Sequence, residues 1–359
     1  VKALIHENVA LAPLTTLRIG GPARYFMDAP TEEALLEAVH FGREKNLPLF
    51  VLGGGSNLLV ADAGFNGFVV KVGLTGLDWE SDRDRMIVSA GAGEEWDRVV
   101  ASCVERDLAG IECLSGIPGS TGGTPVQNVG AYGQEVSSTL LKVRAYDQQT
   151  GSIVELSNQF CQFTYRASLF NTTAKNRYIV LRVDYSLLKH GEPAIRYPEV
   201  QLEFQGTSSA PTLQQVRAAV QRIRARKAML LVEGDPDCQS AGSFFKNPIV
   251  TEQQFVDLQQ LAGSSVPRYP APDGRVKTAA AWLIEHSGFS KGYSLGPAGL
   301  SSKHTLALIN KGGASASDIV CLAREIRVRV YDRFGLKLIP EPVFLGFEEE
   351  LHLEFFGTP

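Results

Sequence analysis

The chain has 359 residues, 44% of them hydrophobic and 21% charged, with 35 Lys+Arg against 39 Asp+Glu and a formal net charge of −4. Such a chain forms two or three globular domains with a core large enough to need no staples, which excludes disordered, collagen-like and disulfide-miniprotein classes. Its slight acidity argues against a nucleic-acid partner, which a basic surface would serve.

The first residues, Val1 to Glu7, lack the long apolar run of a signal peptide, so none is expected. Arg24 to Met27 reads as a strand, and Thr31 as the N-cap of a helix over Glu32 to Asn46 with Leu35, Val39 and Phe41 inward. Leu49 to Leu52 is a short apolar run typical of a buried strand, ending abruptly in Gly53-Gly54-Gly55-Ser56-Asn57-Leu58. Strands are expected at Phe68 to Val72 and Met86 to Ala90, then a helix over Glu94 to Arg106 that buries Trp96, Val100 and Val104. From Cys113 to Gln134 no charge occurs for 22 residues, and six glycines plus Pro118 and Pro125 break the run. It is too polar and too interrupted to cross a membrane, and it suits a backbone-lined ligand loop. Strands recur at Lys142 to Tyr146 and Tyr178 to Tyr185, and polar Gln205 to Pro211 reads as a junction. A helix over Thr212 to Lys227 rests on Leu213, Val216, Val220 and Ile223, and its last turns, with Arg222, Arg224, Arg226 and Lys227, read as a solvated cationic end. Further helices are expected at Val276 to His286 and Ser317 to Phe334, the latter stopped by Gly335, and a strand at Leu336 to Phe344. The alternation of strand and helix is too irregular for one doubly wound sheet, so the class is α+β.

Common catalytic signatures are missing. There is no P-loop and no nucleophile elbow, and Gly91-Ala92-Gly93 fails as a dinucleotide fingerprint because Trp96 stands at the third glycine. The five cysteines are widely spaced, and none of the six histidines pairs in a metal-binding pattern, so reduced thiols, a cytoplasmic protein and no metal site are expected. The informative segments are the two glycine loops. Gly53-Gly54-Gly55-Ser56-Asn57 after a buried strand suits either a tight structural turn or a pyrophosphate cradle, because glycine amides converge without Cβ obstruction. Ser115 to Gly123 and Gln127 to Gly133 add unhindered amides and a flat apolar rim, a combination that a flavin requires.

Five motifs in order make the pattern specific: Leu52-Gly-Gly-Gly-Ser-Asn-Leu58, Ile117-Pro-Gly-Ser-Thr-Gly-Gly123 with Gln127-Asn-Val-Gly-Ala-Tyr-Gly133, Tyr165-Arg-Ala-Ser168, Gly242-Ser-Phe-Phe-Lys-Asn-Pro248 and Pro340-Glu341. From about Leu14 to about Gly346 the chain resembles the UDP-N-acetylenolpyruvoylglucosamine reductase family of bacterial peptidoglycan precursor synthesis. The resemblance implies an FAD-binding fold of the vanillyl-alcohol-oxidase (PCMH-like) type in two subdomains, 1–72 with 336–359 and 73–210, plus an α+β domain for the UDP-sugar at 211–335. It implies non-covalent FAD, NADPH as co-substrate, and reduction of the enolpyruvyl ether of UDP-N-acetylglucosamine to the lactyl ether in a cytoplasmic monomer. Another FAD oxidoreductase on the same scaffold, such as an oxidase, is the alternative.

By the same resemblance Gly53, Gly54, Gly55, Ser56, Asn57, Leu58, Gly119, Ser120, Gly123, Asn128, Gly130 and Ala131 bind the cofactor. Arg166 would stabilise the enolate, Ser243 would donate the proton, and Glu341, held between Pro340 and Pro342, would assist the enol intermediate. Tyr197 matches a mobile tyrosine that closes over the substrate, Lys227 a diphosphate ligand, and Asn247 and His304 further substrate contacts. Taken alone, these residues also suit plainer roles: a surface ion pair for Arg166, a core hydroxyl for Ser243, a solvated carboxylate for Glu341. Asn171 stands where the family often has Lys, and Pro342 where an acid-Val-Arg run is common; the tail from Glu348 has no expected role.

Overall fold

The computed structural model describes residues 4–207 and 209–357. The expectations for the extreme N-terminus, for position 208 within the polar junction and for the last two residues of the tail lie outside the described residues. The fold is α+β, and the chain packs as two compact units. Unit 1 holds the chain up to Val9, Ala23–Gly55 and Asn66–Arg226; unit 2 holds Ala10–Pro22, Ser56–Phe65 and the chain from Lys227 onward. The expected boundaries at 72/73 and 210/211 both fall inside unit 1.

In unit 1, a sheet is ordered His6–Ala10, Pro22–Ala29, Phe65–Val72 and Leu49–Leu52, with the last two strands parallel. Helix α1, Glu32–Glu44, starts as its sequence dictates: Thr31 Oγ1 accepts the Ala34 N–H at 3.2 Å, and Glu32 and Glu33 complement the positive end. A larger antiparallel sheet runs Ser152–Ser157, Leu140–Asp147, Tyr178–Lys189, Arg85–Gly91 and Leu77–Asp82, with Leu108–Ala109 also on Tyr178–Lys189. Helix α2, Trp96–Glu105, covers it with the expected stripe of Trp96, Val100 and Val104, all buried. Short α3, Pro198–Glu203, and α4, Leu213–Arg226, follow, and Leu213, Val216, Val220 and Ile223 are buried as their spacing requires.

Unit 2 has its own core around Phe244, Phe245, Phe255, Leu283, Ile319, Leu322 and Ile326. Its antiparallel sheet is ordered Ser240–Ser243, Ala307–Asn310, Ala298–Leu300 and Ser294–Leu295. Helices α5, Glu252–Ala262, α6, Ala280–Glu285, α7, Ala316–Phe334, and α8, Glu349–Phe356, pack in this unit. Helix α7 is capped by Ser315 and Asp318 in a reciprocal box, reinforced by Asp62, which accepts the Ala316 N–H at 2.6 Å and the Ser317 N–H at 3.0 Å. It ends at Gly335 with φ 67°, as expected.

Two expected elements differ. The helix placed at Val276 to His286 begins only at Ala280, because Val276–Lys277 is the centre of a three-stranded sheet between Ile249–Val250 and Tyr269–Pro270. The strand placed at Leu336 to Phe344 shrinks to Val343–Leu345, parallel to Leu58–Val60. Pro340 and Pro342 have no N–H for a ladder, and the segment before Val343 makes one isolated bridge, Phe245 to Pro340. The cationic end of α4 is only half solvated. Arg222 and Arg226 are exposed and pair with Glu203, whereas Arg224 is buried.

Candidate active site

The two glycine loops meet backbone to backbone in unit 1. A Cβ on Gly53 would lie 2.5 Å from Ser120 Oγ, and one on Gly54 would lie 2.6 Å from Gly119 Cα. Glycine is required here by the close approach of two segments of the chain. A Cβ on Gly123 would meet nothing within 4 Å, so the second loop presents bare backbone to open space. The loop is also braced from beneath. The Trp96 indole donates to Leu114 O at 3.2 Å, Trp96 N–H to Gly119 O at 3.0 Å, and the buried hydroxyls of Thr124 and Tyr185 lie 2.6 Å apart. Asp97 accepts the Gly116 N–H at 2.5 Å while Arg224 Nε donates to Gly116 O at 3.1 Å. Burial opposes the Asp97 carboxylate, but Arg217, at 2.6 and 2.8 Å, and the Gly116 N–H hold it below its ordinary pKa.

Not every expected cofactor residue offers its side chain. Asn128, at φ 44° and buried, gives its amide to Glu135 at 2.9 Å and Thr164 O at 3.1 Å and accepts from Ser137 N–H at 3.2 Å, so it shapes the loop. Asn57 donates to Glu341 O at 3.2 Å within unit 2, and Leu58 pairs with Val343. Gly130 and Ala131 form a small hairpin with Gln134–Glu135, turned by Tyr132 at φ 49° and Gly133 at φ 84°.

Arg166 occupies the tip of a second hairpin, closed by mutual bonds between Thr164 and Ala167. Its φ of 55° is unusual for a side chain with Cβ and is tolerated where the surroundings impose it. Those surroundings are visible: Asn171 Nδ2 donates to Arg166 O at 3.3 Å, Asn171 Oδ1 accepts from Ser168 N–H at 2.9 Å, and Arg166 Nη2 donates to Gly130 O at 2.8 Å. Asn171, which departs from the family pattern, therefore fixes the arginine's backbone. The guanidinium is thereby brought to the second glycine loop.

In unit 2, Ser243 ends the strand Ser240–Ser243, half-buried opposite Ala307, after an irregular step at Gly242, φ 73°. Phe244 and Phe245 next to it are buried with ring centroids 5.2 Å apart. Glu341 N–H donates to Phe244 O at 2.9 Å, beside the Phe245–Pro340 bridge, so residues some hundred positions apart lie on adjoining segments. Glu341 is half-buried. Asn247 Oδ1 accepts the Ala280 N–H at 2.9 Å at the start of α6. His304 is a neutral imidazole: burial, then the charges of Lys227 and Lys291, push its pKa down to about 4. Lys227 and His304 thus share an electrostatic neighbourhood in unit 2. Tyr197 belongs to unit 1, where its ring stands edge-on to Tyr132, centroids 5.5 Å apart at 88°.

A family profile described as FAD binding domain matches residues 23–157, and one described as UDP-N-acetylenolpyruvoylglucosamine reductase, C-terminal domain, matches residues 235–345. The chain is 47% identical over 351 residues to UDP-N-acetylenolpyruvoylglucosamine reductase of Thermobifida fusca, covering 95% of this chain and 98% of that one. The enzyme of that name from Streptomyces coelicolor is 46% identical over 350 residues, covering 95% and 90%. The chain belongs to the UDP-N-acetylenolpyruvoylglucosamine reductase family. A crystal structure of UDP-N-acetylenolpyruvylglucosamine reductase from Thermus caldophilus superposes with TM-score 0.66 at 26% identity, covering 96% of this chain and 99% of that one.

For this family the residues present fit a flavin dinucleotide. The glycine contacts leave no room for side chains where the loops cross, a Cβ at Gly123 would stand in open space, and the stretch Cys113 to Gln134 that carries it has no charged side chain to oppose a phosphate. Sequence reasoning overlooked the supports. Arg224 is the clearest, because it lies four residues beyond Val220 and so continues the buried stripe of α4. Asn171 gave a signal too, as a Ser-x-x-Asn cap pair with Ser168.

Proposed function

We propose that this chain is an FAD-dependent reductase that uses NADPH to convert UDP-N-acetylglucosamine enolpyruvate to UDP-N-acetylmuramate in peptidoglycan precursor synthesis. The observation that carries this reading is the adjacency of Ser243 and Glu341 across the Phe244–Glu341 hydrogen bond, in a chain whose family membership spans nearly its whole length. FAD would be held by Gly53, Gly54, Gly55, Ser56, Asn57 and Leu58 and by the loop carrying Gly119, Ser120, Gly123, Asn128, Gly130 and Ala131, and when bound it supplies hydride transfer.

The chain's own groups do the rest. Arg166 grips the substrate carboxylate with two parallel N–H donors and strengthens as enolate charge grows there. Ser243 Oγ hands a proton to the inner carbon of the enolpyruvyl group, beside the dry surface of Phe244 and Phe245. Glu341, its backbone fixed by Pro340, Pro342 and Phe244, supports the enol. Lys227 takes the diphosphate with His304 and Asn247 nearby, and Tyr197 closes over the sugar. The chain acts in the cytoplasm as a monomer on this small molecule, without nucleic acid. Among the described residues no helix is long and apolar enough to cross a membrane.

Anaerobic absorbance of the purified protein tests this. The expected result is a yellow protein that NADPH bleaches and the enolpyruvyl UDP-sugar recolours, while dioxygen does so only slowly. Rapid recolouring by dioxygen alone would identify an oxidase, and a colourless protein that takes up no FAD would leave a nucleotide-binding protein.

A further inference from the structure

Residues 191–196, which lead to Tyr197, form neither helix nor strand, so their backbone has no ladder of its own. One residue in this segment is nonetheless held on both sides of its Cα by consecutive residues. The Ala194 N–H donates to Glu112 Oε1 at 2.8 Å, and the Cys113 thiol donates to Ala194 O at 3.3 Å. Glu112 is fully buried. It also accepts from Gln134 Nε2 at 2.8 Å and from the Gly110 N–H at 2.7 Å, and Gln134 Oε1 in turn accepts the Cys113 N–H at 2.7 Å. A buried carboxylate persists only when its lone pairs are met in this way, so the three donors and the carboxylate stand or fall together.

We propose that Glu112 and Cys113 are positioning residues for Tyr197: by clamping the backbone of Ala194 on both sides they fix the pivot from which the tyrosine reaches the substrate. Tyr197 lies three positions beyond Ala194, a span of at most ~10 Å of extended chain. Beyond the clamp, Ile195 and Tyr197 lie on a small apolar cluster of Cys113, Val200, Val216, Val220 and Ile223. Cys113 therefore both bonds the pivot and belongs to the cluster against which Tyr197 packs. Burial pushes its thiol pKa up to about 12, which keeps the proton on sulfur as the donor this contact needs. The role is geometric: a slack pivot weakens substrate capture and leaves Ser243 and Glu341 untouched.

The inference rests on the reading of Tyr197 as a substrate-binding residue, and a double-mutant cycle on the FAD-loaded enzyme separates the two. Glu112→Gln keeps the shape but turns one acceptor into a donor facing an N–H. It is expected to raise KM for the enolpyruvyl UDP-sugar about tenfold with kcat changed less than about twofold. In a Tyr197→Ala background, the same substitution is expected to leave KM unchanged, because there is no ring left to place. An equal factor in both backgrounds, or none in either, overturns the proposal. A Tyr197→Ala enzyme with an unaltered KM overturns the reading of Tyr197 and the proposal with it. Should Glu112→Gln fail to fold, Cys113→Ala carries the same cycle with a several-fold expected rise, and Cys113→Ser, which restores an O–H donor, is expected to recover the parent KM; no rise with Cys113→Ala, or no recovery with serine, counts against the clamp.

Discussion

Gly54→Ala tests whether the meeting of the two glycine loops is what makes a flavin site. The new Cβ would lie 2.6 Å from Gly119 Cα, 2.8 Å from Gly119 C and 3.0 Å from Ser120 N. All three are backbone atoms, so no rotamer change relieves the contact. Carbon atoms rest at ~3.5–4.0 Å, so the loops must part by about 1 Å. A donor displaced that far from a phosphate oxygen leaves hydrogen-bond range, and each charge-assisted bond lost is worth ~1.5–3 kcal/mol. FAD should therefore bind ~10- to 100-fold more weakly for each donor displaced. The apoprotein should also melt at a lower temperature, because the clash exists without cofactor. Gly123→Ala supplies the contrast: its Cβ meets nothing within 4 Å, so the apoprotein should melt as the parent does, while FAD affinity falls if the cofactor occupies that space. The assay is titration of the stripped proteins with FAD, followed by flavin fluorescence, alongside apoprotein melting. Parent-like melting and parent-like FAD affinity in Gly54→Ala would refute the reasoning.

Ser243→Ala should retain FAD and its reduction by NADPH yet slow reoxidation by the enolpyruvyl sugar by roughly 10²–10³-fold, with Arg166→Ala similar, and a parent-like rate in single-turnover absorbance would remove either residue from its role. His304 takes up its proton only near pH 4 in the folded protein, against an ordinary value of 6.5. The unfolded chain binds that proton first, so stability is unaffected above about pH 6.5 and falls as pH drops through the interval to about 4, by at most roughly 3 kcal/mol. His304→Gln should remove that component, making the parent-minus-variant unfolding free energy ~2 kcal/mol less favourable at about pH 5 than at about pH 7.5; parallel denaturation curves at both pH values would contradict the assignment. Asp62→Ala deprives the start of α7 of three hydrogen bonds, at Ala316 N–H, Ser317 N–H and Ser317 Oγ. It should cost about 1–2 kcal/mol, read as a lower melting temperature with flavin content unchanged.

What the sequence made legible is what neighbours in the chain decide. Trp96, Val100 and Val104 announce the buried face of α2, and Thr31 announces the start of α1, because helix periodicity and capping act over a few residues. Leu49–Leu52 was equally plain as a run of four apolar residues before three glycines. Where a distant partner decides, the local signal misleads. Val276 continues an apolar helix pattern, yet the strand Val276–Lys277 is paired with another strand on each of its two edges. Leu58–Val60 joins unit 2 because it pairs with Val343–Leu345, nearly the whole chain away, and nothing in either tripeptide says so.

The candidate site divides along the same line. Its glycines were readable because the chemistry of bare amides is local. The reason for two of them was not, since Gly53 and Gly54 are demanded by Ser120 and Gly119 across the loop crossing. Arg166 was readable only by resemblance, because an arginine after a tyrosine carries no message until Asn171 and Gly130 are seen to fix it. Glu112 carried none at all: in the sequence it is a charged residue at the edge of an uncharged run, a place that suggests solvent. It is buried because Gly110, Gln134 and Ala194 converge on it from three segments, and no single one of them supplies enough donors to justify removing a carboxylate from water. The groups expected to touch substrate and cofactor therefore follow from motif chemistry, whereas the groups that aim them emerge only when remote segments are assembled, which is why Asp97, Glu112, Asn171 and Arg224 are all supports and all escaped the linear reading.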